Sequence, residues 1–288
     1  MAEFSNYLEN ALINAVLRNT SYTSPATVYV SLYTSDPTDA DIVYGGCYDG
    51  YLQRRNHKND QGSADLNVIV TASNNKDYAV KLISDGNGYV PTTELFCYEL
   101  ATILDIPTPT YDLIRMRDGS LAFGSLWEGG VHHIRDFNQL SDILSGKLRV
   151  RDLSRFFSKV YAFDLFINNI DRHFGNYIFR QSYNSLIGLA FDFSRAWYEV
   201  GPYEYDSLKD KETNTQRCYQ LIKDRKKYDK DVAIQTLNDI AKIDVEKIRK
   251  ILQQIPEPWF QKEKREEVLA WWQSSDKANR LTKLLGSV

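Results

Sequence analysis

Three oxygen-bearing side chains stand at spacings that suit phosphoryl transfer. Asp171 and Asn176 lie in the run Asn-Asn-Ile-Asp-Arg-His-Phe-Gly-Asn at 168–176, and Asp192 lies in Phe-Asp-Phe-Ser at 191–194. In a site of this kind, one carboxylate orients an attacking hydroxyl and takes its proton, while an amide and a second carboxylate hold Mg²⁺ on nucleotide phosphates. The pattern predicts Asp171 as the base and Asn176 and Asp192 as metal ligands.

Taken singly, each of these residues could be a turn aspartate or a capping asparagine, which are common. Apolar segments at 177–179 and 187–191 flank a polar run at 182–185, and together they predict a β-hairpin. Such a hairpin would bring Asn176 and Asp192 together. Because phosphoryl transfer depends on positioning and charge neutralisation, the joint arrangement favours a functional site over unrelated turns.

Lys81 is the one charge in the apolar strand pattern at 78–82. A lysine at this point can reach the α- and β-phosphates of a nucleotide. Glu94, near the start of the next predicted helix, would pair with Lys81, and Glu99 is the alternative partner. The competing interpretations are an edge-strand charge for Lys81 and a first-turn acid favoured by the helix dipole for Glu94.

Two short segments would complete a nucleotide site. Gly62 and Ser63 precede the first predicted strand pair and could cover phosphates through backbone N–H groups, although no GxGxxG pattern is present. Gly124 and Ser125 belong to the segment at 123–128, predicted to follow a strand as a hinge that supplies backbone hydrogen bonds and apolar walls to adenine. The alternative for this segment is an ordinary turn.

The catalytic-loop neighbours of Asp171 have a different expected role. Arg172 and His173 lie inside the loop, where histidine is more often structural than catalytic. We expect both side chains to brace the loop by hydrogen bonding.

The elements that must position these residues follow from hydrophobic periodicity. Strand patterns at 66–71 and 78–83 precede a helical pattern at 93–104, and strand patterns at 111–116 and 121–126 come next. Beyond that point the pattern is mainly helical apart from the hairpin. The chain therefore predicts an α+β fold with a β-rich part followed by a helical part.

The opening of the chain is a separate segment. A helical stripe at 5–18 and an alternating strand pattern at 27–34 come before a Gly-, Tyr- and charge-rich stretch at 44–62, predicted to be a connection or exposed loop. About the first 40 residues resemble the start of certain small phage tail-associated proteins. The alternative is a helix and strand docked on the main body.

Composition excludes several classes of protein. A chain of 288 residues can form two lobes. The net charge of -3 and the pI near 5.9 argue against a general nucleic-acid binder. Three scattered cysteines predict neither a disulfide framework nor a zinc site. Because no signal peptide and no apolar stretch of about 18 residues is evident, we expect a cytoplasmic protein without a membrane partner.

The run at 169–176 resembles the DRHxxN loop of HipA-like kinases, a loop type shared with phosphatidylinositol kinases. The resemblance spans roughly residues 50–275. Weaker similarities are found at Gly62-Ser63, Ala79-Val80-Lys81, Glu94 with Leu100-Ala101, Ile106-Pro107-Thr108-Pro109, Phe123-Gly124-Ser125 and Ile255-Pro256-Glu257-Pro258-Trp259.

The resemblance implies a two-lobed, protein-kinase-like fold with three parts: an extension at 1–45, an amino-terminal lobe at 46–126 and a carboxy-terminal lobe at 127–288. It also implies ATP and Mg²⁺ as cofactors and serine/threonine phosphorylation of a protein substrate. An antitoxin-like partner, or a phage or host protein, is a further implication. Larger HipA proteins have an extra amino-terminal domain, and here Ser194 replaces the glycine of the usual Asp-Phe-Gly, which bears on metal geometry.

Two other functions remain open from the sequence. A lipid or small-molecule kinase is one, because the loop is shared; the absence of a basic amphipathic helix or lipidation motif favours a protein substrate. A catalytically weak nucleotide-binding assembly module, docked through residues 1–45, is the other. The missing glycine-rich loop favours the module, whereas the intact Asp171, Asn176 and Asp192 set opposes it.

Overall fold

The structure is a computed structural model that describes residues 48–51, 68–127, 131–133, 137–201 and 212–288. The predicted helix at 5–18, the predicted strand at 27–34 and the segment holding Gly62 and Ser63 lie outside the described residues.

The first part of the described chain is a small barrel with one helix. In chain order its elements are β1 (Tyr48–Tyr51), β2 (Val68–Ala72), β3 (Asp77–Lys81), α1 (Val90–Ile103), β4 (Tyr111–Arg115) and β5 (Leu121–Leu126). The strands pair in the order β1-β2-β3-β5-β4, and a parallel pairing of β1 with β4 closes the barrel. The predicted succession of two strands, a helix and two strands is confirmed.

Strand β1 corrects the prediction of a loop at 44–62. Its sequence, Tyr-Asp-Gly-Tyr, combines two turn-type residues with two tyrosines and has no clear local preference. Pairing decides the conformation, since β1 is antiparallel to β2 and parallel to β4. Both partners lie far along the chain, so local sequence could not reveal the strand.

Apolar side chains fill the barrel at alternate strand positions, as the twofold period of a strand requires. The buried set is Val70, Ala72, Tyr78, Val80, Ile114, Met116 and Ala122. Gly124 in β5 is part of the same packing, because a Cβ on it would lie 2.6 Å from Cγ1 of Ile114. Glycine is thus required there by the close approach of a neighbouring strand.

The second part combines a three-stranded sheet with helices. Its elements are β6 (Val131–His133), α2 (Phe137–Ser145), α3 (Leu153–Phe166), β7 (Tyr177–Ser182), β8 (Ser185–Ala190), α4 (Trp197–Val200), α5 (Asn214–Asp224), α6 (Lys230–Ala241), α7 (Val245–Gln254), α8 (Lys262–Trp272) and α9 (Ser275–Leu285). The sheet order is β6-β7-β8. The predicted hairpin is confirmed as β7 and β8, and β6 is an addition that the sequence did not indicate.

Helix α3 packs against the β7–β8 hairpin. Its apolar residues recur at helical spacing, and Phe156, Phe157 and Val160 are buried. Gly188 in β8 lies under the ring of Phe156, where a Cβ would be 2.5 Å from Cε1. A side chain at 188 would push α3 and β8 apart, so this glycine sets the distance between the hairpin and the helix.

Helix α1 is held against the segment that follows β8. The rings of Phe96 and Trp197 stack with their centroids 3.7 Å apart and their planes 5° apart. Glu199 in α4 accepts hydrogen bonds from the backbone N–H groups of Asn87 and Tyr89, just before α1. The position of α1 is therefore coupled to the chain immediately after Asp192.

The longest helices in the described ranges, α1 and α3, have 14 residues each. A helix that crosses a bilayer needs about 20 apolar residues. None of the helices described has the length and apolarity for such a crossing.

Candidate active site

The β7–β8 hairpin brings Asn176 and Asp192 together, as the sequence predicted. Tyr177 pairs with Ala190 at the open end of the hairpin. One step further, the N–H of Phe191 donates to the carbonyl oxygen of Asn176 over 3.2 Å, and Asp192 follows directly. The φ angle of Asp192 is 58°, in the left-handed region, so the chain turns away from the strand at this residue.

Lys81 reaches the same place from the end of β3. Its Nζ atom lies 3.3 Å from Oδ1 of Asp192, and both side chains are largely buried. The hydroxyl of Ser194 donates to the same oxygen over 2.5 Å. Burial alone would raise the pKa of Asp192, but the Lys81 charge and the Ser194 hydrogen bond outweigh it and lower the pKa to about 2. Asp192 is therefore ionised at neutral pH.

Glu94 lies inside this cluster without a direct partner. It is buried, neither carboxylate oxygen has a hydrogen-bond partner among the described residues, and no ion pair joins it to Lys81. Burial and the charge of Asp192 raise the pKa of Glu94 to about 8, against the opposing effects of Lys81, the Phe193 backbone N–H and Arg172. The Phe193 N–H is close enough to act electrostatically but does not satisfy hydrogen-bond geometry.

The predicted pairing of Lys81 with Glu94 is thus replaced by a Lys81–Asp192 pair in this structure. Glu99 is excluded as the alternative, because its carboxylate accepts hydrogen bonds from the Tyr111 hydroxyl at 2.8 Å and from Gln254 Nε2 at 3.2 Å. The helix also begins earlier than predicted, at Val90. Glu94 consequently lies beyond the first turn, where the helix dipole no longer explains an acid.

Asp171 lies in the loop between α3 and a short 3₁₀ helix, Phe174–Asn176. Its side chain is 28% exposed, and its Oδ2 atom is 3.7 Å from Nε of Arg195. The amide of Asn214, at the start of α5, donates to Oδ1 of Asp171 over 2.5 Å. The carboxylate is therefore both oriented by its neighbours and accessible to an incoming group.

The amide of Asn176 has a defined orientation. Its Nδ2 donates to the backbone carbonyl of Asp171 over 3.1 Å, which directs Oδ1 away from that carbonyl. None of the described residues donates a hydrogen bond to Oδ1. The amide oxygen can accordingly serve as a ligand to a cation.

The arrangement fits a nucleotide-bound Mg²⁺. Mg²⁺ prefers oxygen ligands and is usually held by one or two carboxylates together with substrate phosphates. Asn176 Oδ1 and the ionised carboxylate of Asp192 supply two such oxygens at the open end of the hairpin. The described residues contain no cluster of three or more His, Cys, Asp or Glu side chains suited to a metal. A site in which phosphate oxygens supply the remaining ligands does not need such a cluster.

A buried ion pair anchors the loop that contains Asp171 to helix α3. Arg172 bonds Asp164 in α3 through two contacts, Nε to Oδ2 at 2.8 Å and Nη2 to Oδ1 at 3.1 Å. Its Nη1 donates to the carbonyl oxygens of Asn176 at 3.1 Å and Phe191 at 2.6 Å. Its guanidinium carbon lies 4.8 Å from the ring centroid of Phe193. Arg172 thus ties α3 to both chain segments at the open end of the hairpin, and its predicted bracing role is confirmed.

Helix α5 adds a second brace. Thr215 accepts a hydrogen bond from the Arg172 backbone N–H at 2.9 Å and donates to the carbonyl of Asn169 at 2.6 Å. Asn169 in turn donates to Oδ1 of Asp164 over 2.8 Å. His173 accepts from the Gly175 N–H at 3.1 Å, which confirms its expected structural role.

Sequence reasoning missed several of these supporting residues. Asp164 carried a signal, since it is an acid among the apolar residues that end α3. Asn214 and Thr215 carried none, because they lie more than 40 positions beyond the loop they contact. Arg195 and Ser194 follow Asp192 closely, but their contacts with the carboxylates depend on how the chain turns.

The predicted placement of Gly124 and Ser125 beyond a strand is wrong. Both lie inside β5, where each residue pairs with β3 on one side and β4 on the other. The backbone of a central strand is engaged by its neighbours, so it is not free to bind adenine in the expected way. The Ser125 hydroxyl shares a 2.9 Å hydrogen bond with the Tyr98 hydroxyl.

Comparison with known proteins places this geometry in context. A family model described as HipA-like kinase matches residues 56–285. A second model, Podophage GP4 fiber I protein gp80, matches residues 3–82, so the two matches overlap at 56–82. None of the curated proteins matches the chain.

Two solved structures are similar to the chain. The Helicobacter pylori proinflammatory kinase CtkA is 16% identical with a TM-score of 0.53, over 76% of this chain and 93% of that one. HipA of Shewanella oneidensis MR-1, solved in a toxin–antitoxin complex with HipB and operator DNA, is 12% identical with a TM-score of 0.43, over 96% of this chain and 69% of that one. The likeness to CtkA shows a kinase fold with a small curled sheet and a mostly helical second lobe. Since the family model covers well over half of the residues, the chain belongs to the HipA-like kinase family.

Proposed function

We propose that this protein transfers the γ-phosphoryl group of ATP, with Mg²⁺, to a serine or threonine hydroxyl of a protein. The proposal rests on the contact between Lys81 and Asp192. These residues are 111 positions apart in the chain, yet Nζ of Lys81 lies 3.3 Å from Oδ1 of Asp192. Around them lie the oriented amide of Asn176 and the accessible carboxylate of Asp171.

Asp171 is proposed as the general base. Its carboxylate would accept a hydrogen bond from the substrate hydroxyl and take the proton as the hydroxyl oxygen bonds to the γ-phosphorus and the bond to ADP breaks. Asn214 keeps Oδ1 of Asp171 in a fixed direction, which leaves the second oxygen, 3.7 Å from Arg195, as the one that an incoming hydroxyl could approach. The partly exposed position of this carboxylate lets a substrate hydroxyl reach it.

Lys81, Asn176 and Asp192 are proposed to hold the nucleotide. Asn176 Oδ1 and the Asp192 carboxylate would bind Mg²⁺, which when bound neutralises negative charge on the phosphate oxygens. Lys81 would contact the α- and β-phosphates from the end of β3. Gly62, Ser63 and Glu94 remain predicted nucleotide-site residues.

The test is incubation of the purified protein with Mg²⁺ and γ-labelled ATP, with and without added lysate protein. We expect label on protein that is lost in Asp171→Ala and in Asp192→Ala and is retained in the surface variant Asp142→Ala. Analysis of the labelled residues should give phosphoserine or phosphothreonine. Label that extracts into organic solvent would identify a lipid kinase instead, and ATP binding without any transfer would contradict the proposed activity.

A second role is favoured by the gp80 match at residues 3–82. We propose that the amino-terminal segment attaches the kinase to a phage particle or to a host protein. Deleting residues 1–45 should abolish that attachment and leave phosphoryl transfer intact. An antitoxin-like partner stays a prediction from family membership, to be sought by affinity capture with the Asp171→Ala variant.

A further inference from the structure

A cavity at the far end of the hairpin from the catalytic residues has features of a docking site. It has a volume of about 340 Å³ and is lined by Arg149, Val150, Arg151, Asp152, Tyr183, Asn184 and Ser185. The hairpin register runs from Tyr177–Ala190 near Asp192 to Ser182–Ser185 at the turn. The turn is five residues along the strand from the Tyr177–Ala190 pair. At about 3.3 Å per residue, the cavity is therefore about 17 Å from the end of the hairpin that bears Asp192.

The segment before α3 forms one wall of the cavity, and the chain is extended at Val150. Val150 bridges Leu186 in parallel fashion, with the Arg151 N–H donating to Leu186 at 2.8 Å and the Leu186 N–H donating to Arg149 at 2.9 Å. In extended chain, residues two positions apart lie on one face. Arg149 and Arg151 thus share a face with about 7 Å between them, whereas Val150 packs against the core.

These two arginines are available to a ligand. Both are exposed, and neither guanidinium forms a hydrogen bond or ion pair with any of the described residues. Two other surface arginines are paired, Arg217 with Glu212 and Arg249 with Glu246. Asp152 is the single acid lining the cavity, so the lining has an excess of positive charge although the whole protein has a net charge of -3.

Tyr183 supplies an aromatic wall. It is 93% exposed, the most exposed large hydrophobic side chain among the described residues. Its φ angle is 51°, a left-handed conformation that residues other than glycine, asparagine and aspartate adopt at an energetic cost. Exposed tyrosine and arginine side chains are the types that contribute most to protein–protein binding.

We propose that this cavity, formed by residues 149–152 and 183–185, docks an extended acidic segment of the protein substrate with two carboxylates two positions apart. Such carboxylates also share a face with about 7 Å between them, which matches Arg149 and Arg151, and guanidinium groups bind carboxylates through paired hydrogen bonds. The inference rests on the proposed protein-kinase function and adds a substrate feature. Given the separation of about 17 Å, the acidic pair would lie at least about five residues from the phosphorylated hydroxyl.

The test measures binding of two fluorescein-labelled nine-residue peptides to the full-length protein by fluorescence polarisation. Both peptides have two glutamates in a Gly/Ser background; in one the glutamates are separated by one residue, and in the other they are adjacent. We expect the separated pair to bind more tightly and the Arg149→Ala/Arg151→Ala variant to weaken its binding at least tenfold. The matched control Lys247→Ala/Lys250→Ala, which removes two exposed lysines from α7, should bind as the native protein does.

Several outcomes would overturn the proposal. These are equal affinity for the two peptides, no effect of the arginine substitutions, or equally tight binding of a single-stranded RNA of the same charge, which would indicate a general polyanion surface. Because Arg149 and Arg151 are exposed, we expect their variant to fold, and its melting temperature checks this. The Asp171→Ala variant should still bind the separated-pair peptide, so docking is measured independently of phosphoryl transfer.

Discussion

Lys81 Nζ and Asp192 Oδ1, 3.3 Å apart, join the small barrel to the β7–β8 hairpin. Both side chains are largely buried, and a second carboxyl, Glu94, is close enough to raise the pKa of Lys81 further. Burial by itself would lower that pKa, but the carboxylates outweigh it. The lysine is consequently charged throughout the physiological range and can exchange a carboxylate partner for a phosphate.

Replacing Lys81 with methionine should weaken ATP binding. The substitution preserves most of the side-chain volume but removes the cation, so Asp192 and the nucleotide phosphates are no longer neutralised. We expect the Kd for Mg²⁺–ATP to rise about 10- to 100-fold, which corresponds to the loss of one charge-assisted contact. Isothermal titration calorimetry measures this Kd. Lys76→Met, on the turn before β3, is the matched control and should bind normally; unchanged affinity in Lys81→Met would contradict the assigned role.

Asn214 should act as a positioning residue for Asp171. Asn214→Ala removes the donor to Oδ1, and a misplaced base should lower kcat by about 10- to 100-fold with the KM for ATP unchanged. Asn214→Asp replaces that donor with an acceptor of like charge, so it should lower kcat at least as much as Asn214→Ala does. Gln220→Ala, on the exposed face of α5, serves as the control. A comparable loss of kcat in the control would argue for a general structural effect.

The Asp164–Arg172 pair should be a large contributor to stability only when both partners are present. Asp164→Asn leaves the buried guanidinium uncompensated, and we expect a loss of about 3–5 kcal/mol in the free energy of unfolding, measured with urea. The exposed pair of Asp142 and Lys147 offers a contrast, since Asp142→Asn should cost about 0–1 kcal/mol. Equal losses in the two variants would contradict the buried-charge explanation.

Glu94 should make stability depend on pH. Its pKa is about 8 in the folded protein and near 4.5 ordinarily, so the folded state holds a proton that the unfolded state has released between these values. Stability from this group is present at low pH and is lost as pH rises towards 8, at roughly 1.4 kcal/mol per pH unit. Asp192, with a pKa of about 2, titrates below this window.

Glu94→Gln keeps a neutral side chain at every pH. The free energy of unfolding of this variant should therefore increase, relative to that of the native protein, between pH 5 and pH 8. Urea unfolding of both proteins at the two pH values gives the difference directly. The exposed acid Glu257 provides the control, because Glu257→Gln should change stability equally at the two pH values. A pH-independent effect of Glu94→Gln would show that the carboxyl is not protonated in the folded state.

Local sequence was sufficient where short-range patterns decide structure. The alternation of β2 to β5, the helical spacing of α1 and α3, and the hairpin around 182–185 each reflect side chains within a few residues of one another. The spacing of Asp171, Asn176 and Asp192 belongs to the same class, because a single hairpin relates them. The α+β class and the core of the candidate site could therefore be predicted.

Local sequence failed where pairing over long distances decides structure. Strand β1 takes its conformation from β2 and β4, and Gly124 and Ser125 are internal to β5 because strands on both sides use their backbone. The residues of β1 carry no signal of its pairing, and the strand pattern at 121–126 does not show that both edges of β5 are occupied.

The amino-acid sequence thus determined which side chains could carry phosphoryl transfer, since residue type and short spacing set their chemistry. Tertiary structure alone decided how those side chains are paired: Lys81 with Asp192, Asp171 with Asn214, and Arg172 with Asp164. The physical reason is that an ion pair or hydrogen bond depends on distances of a few ångströms. Such distances between remote positions exist only after the barrel, the hairpin and the helices have packed together.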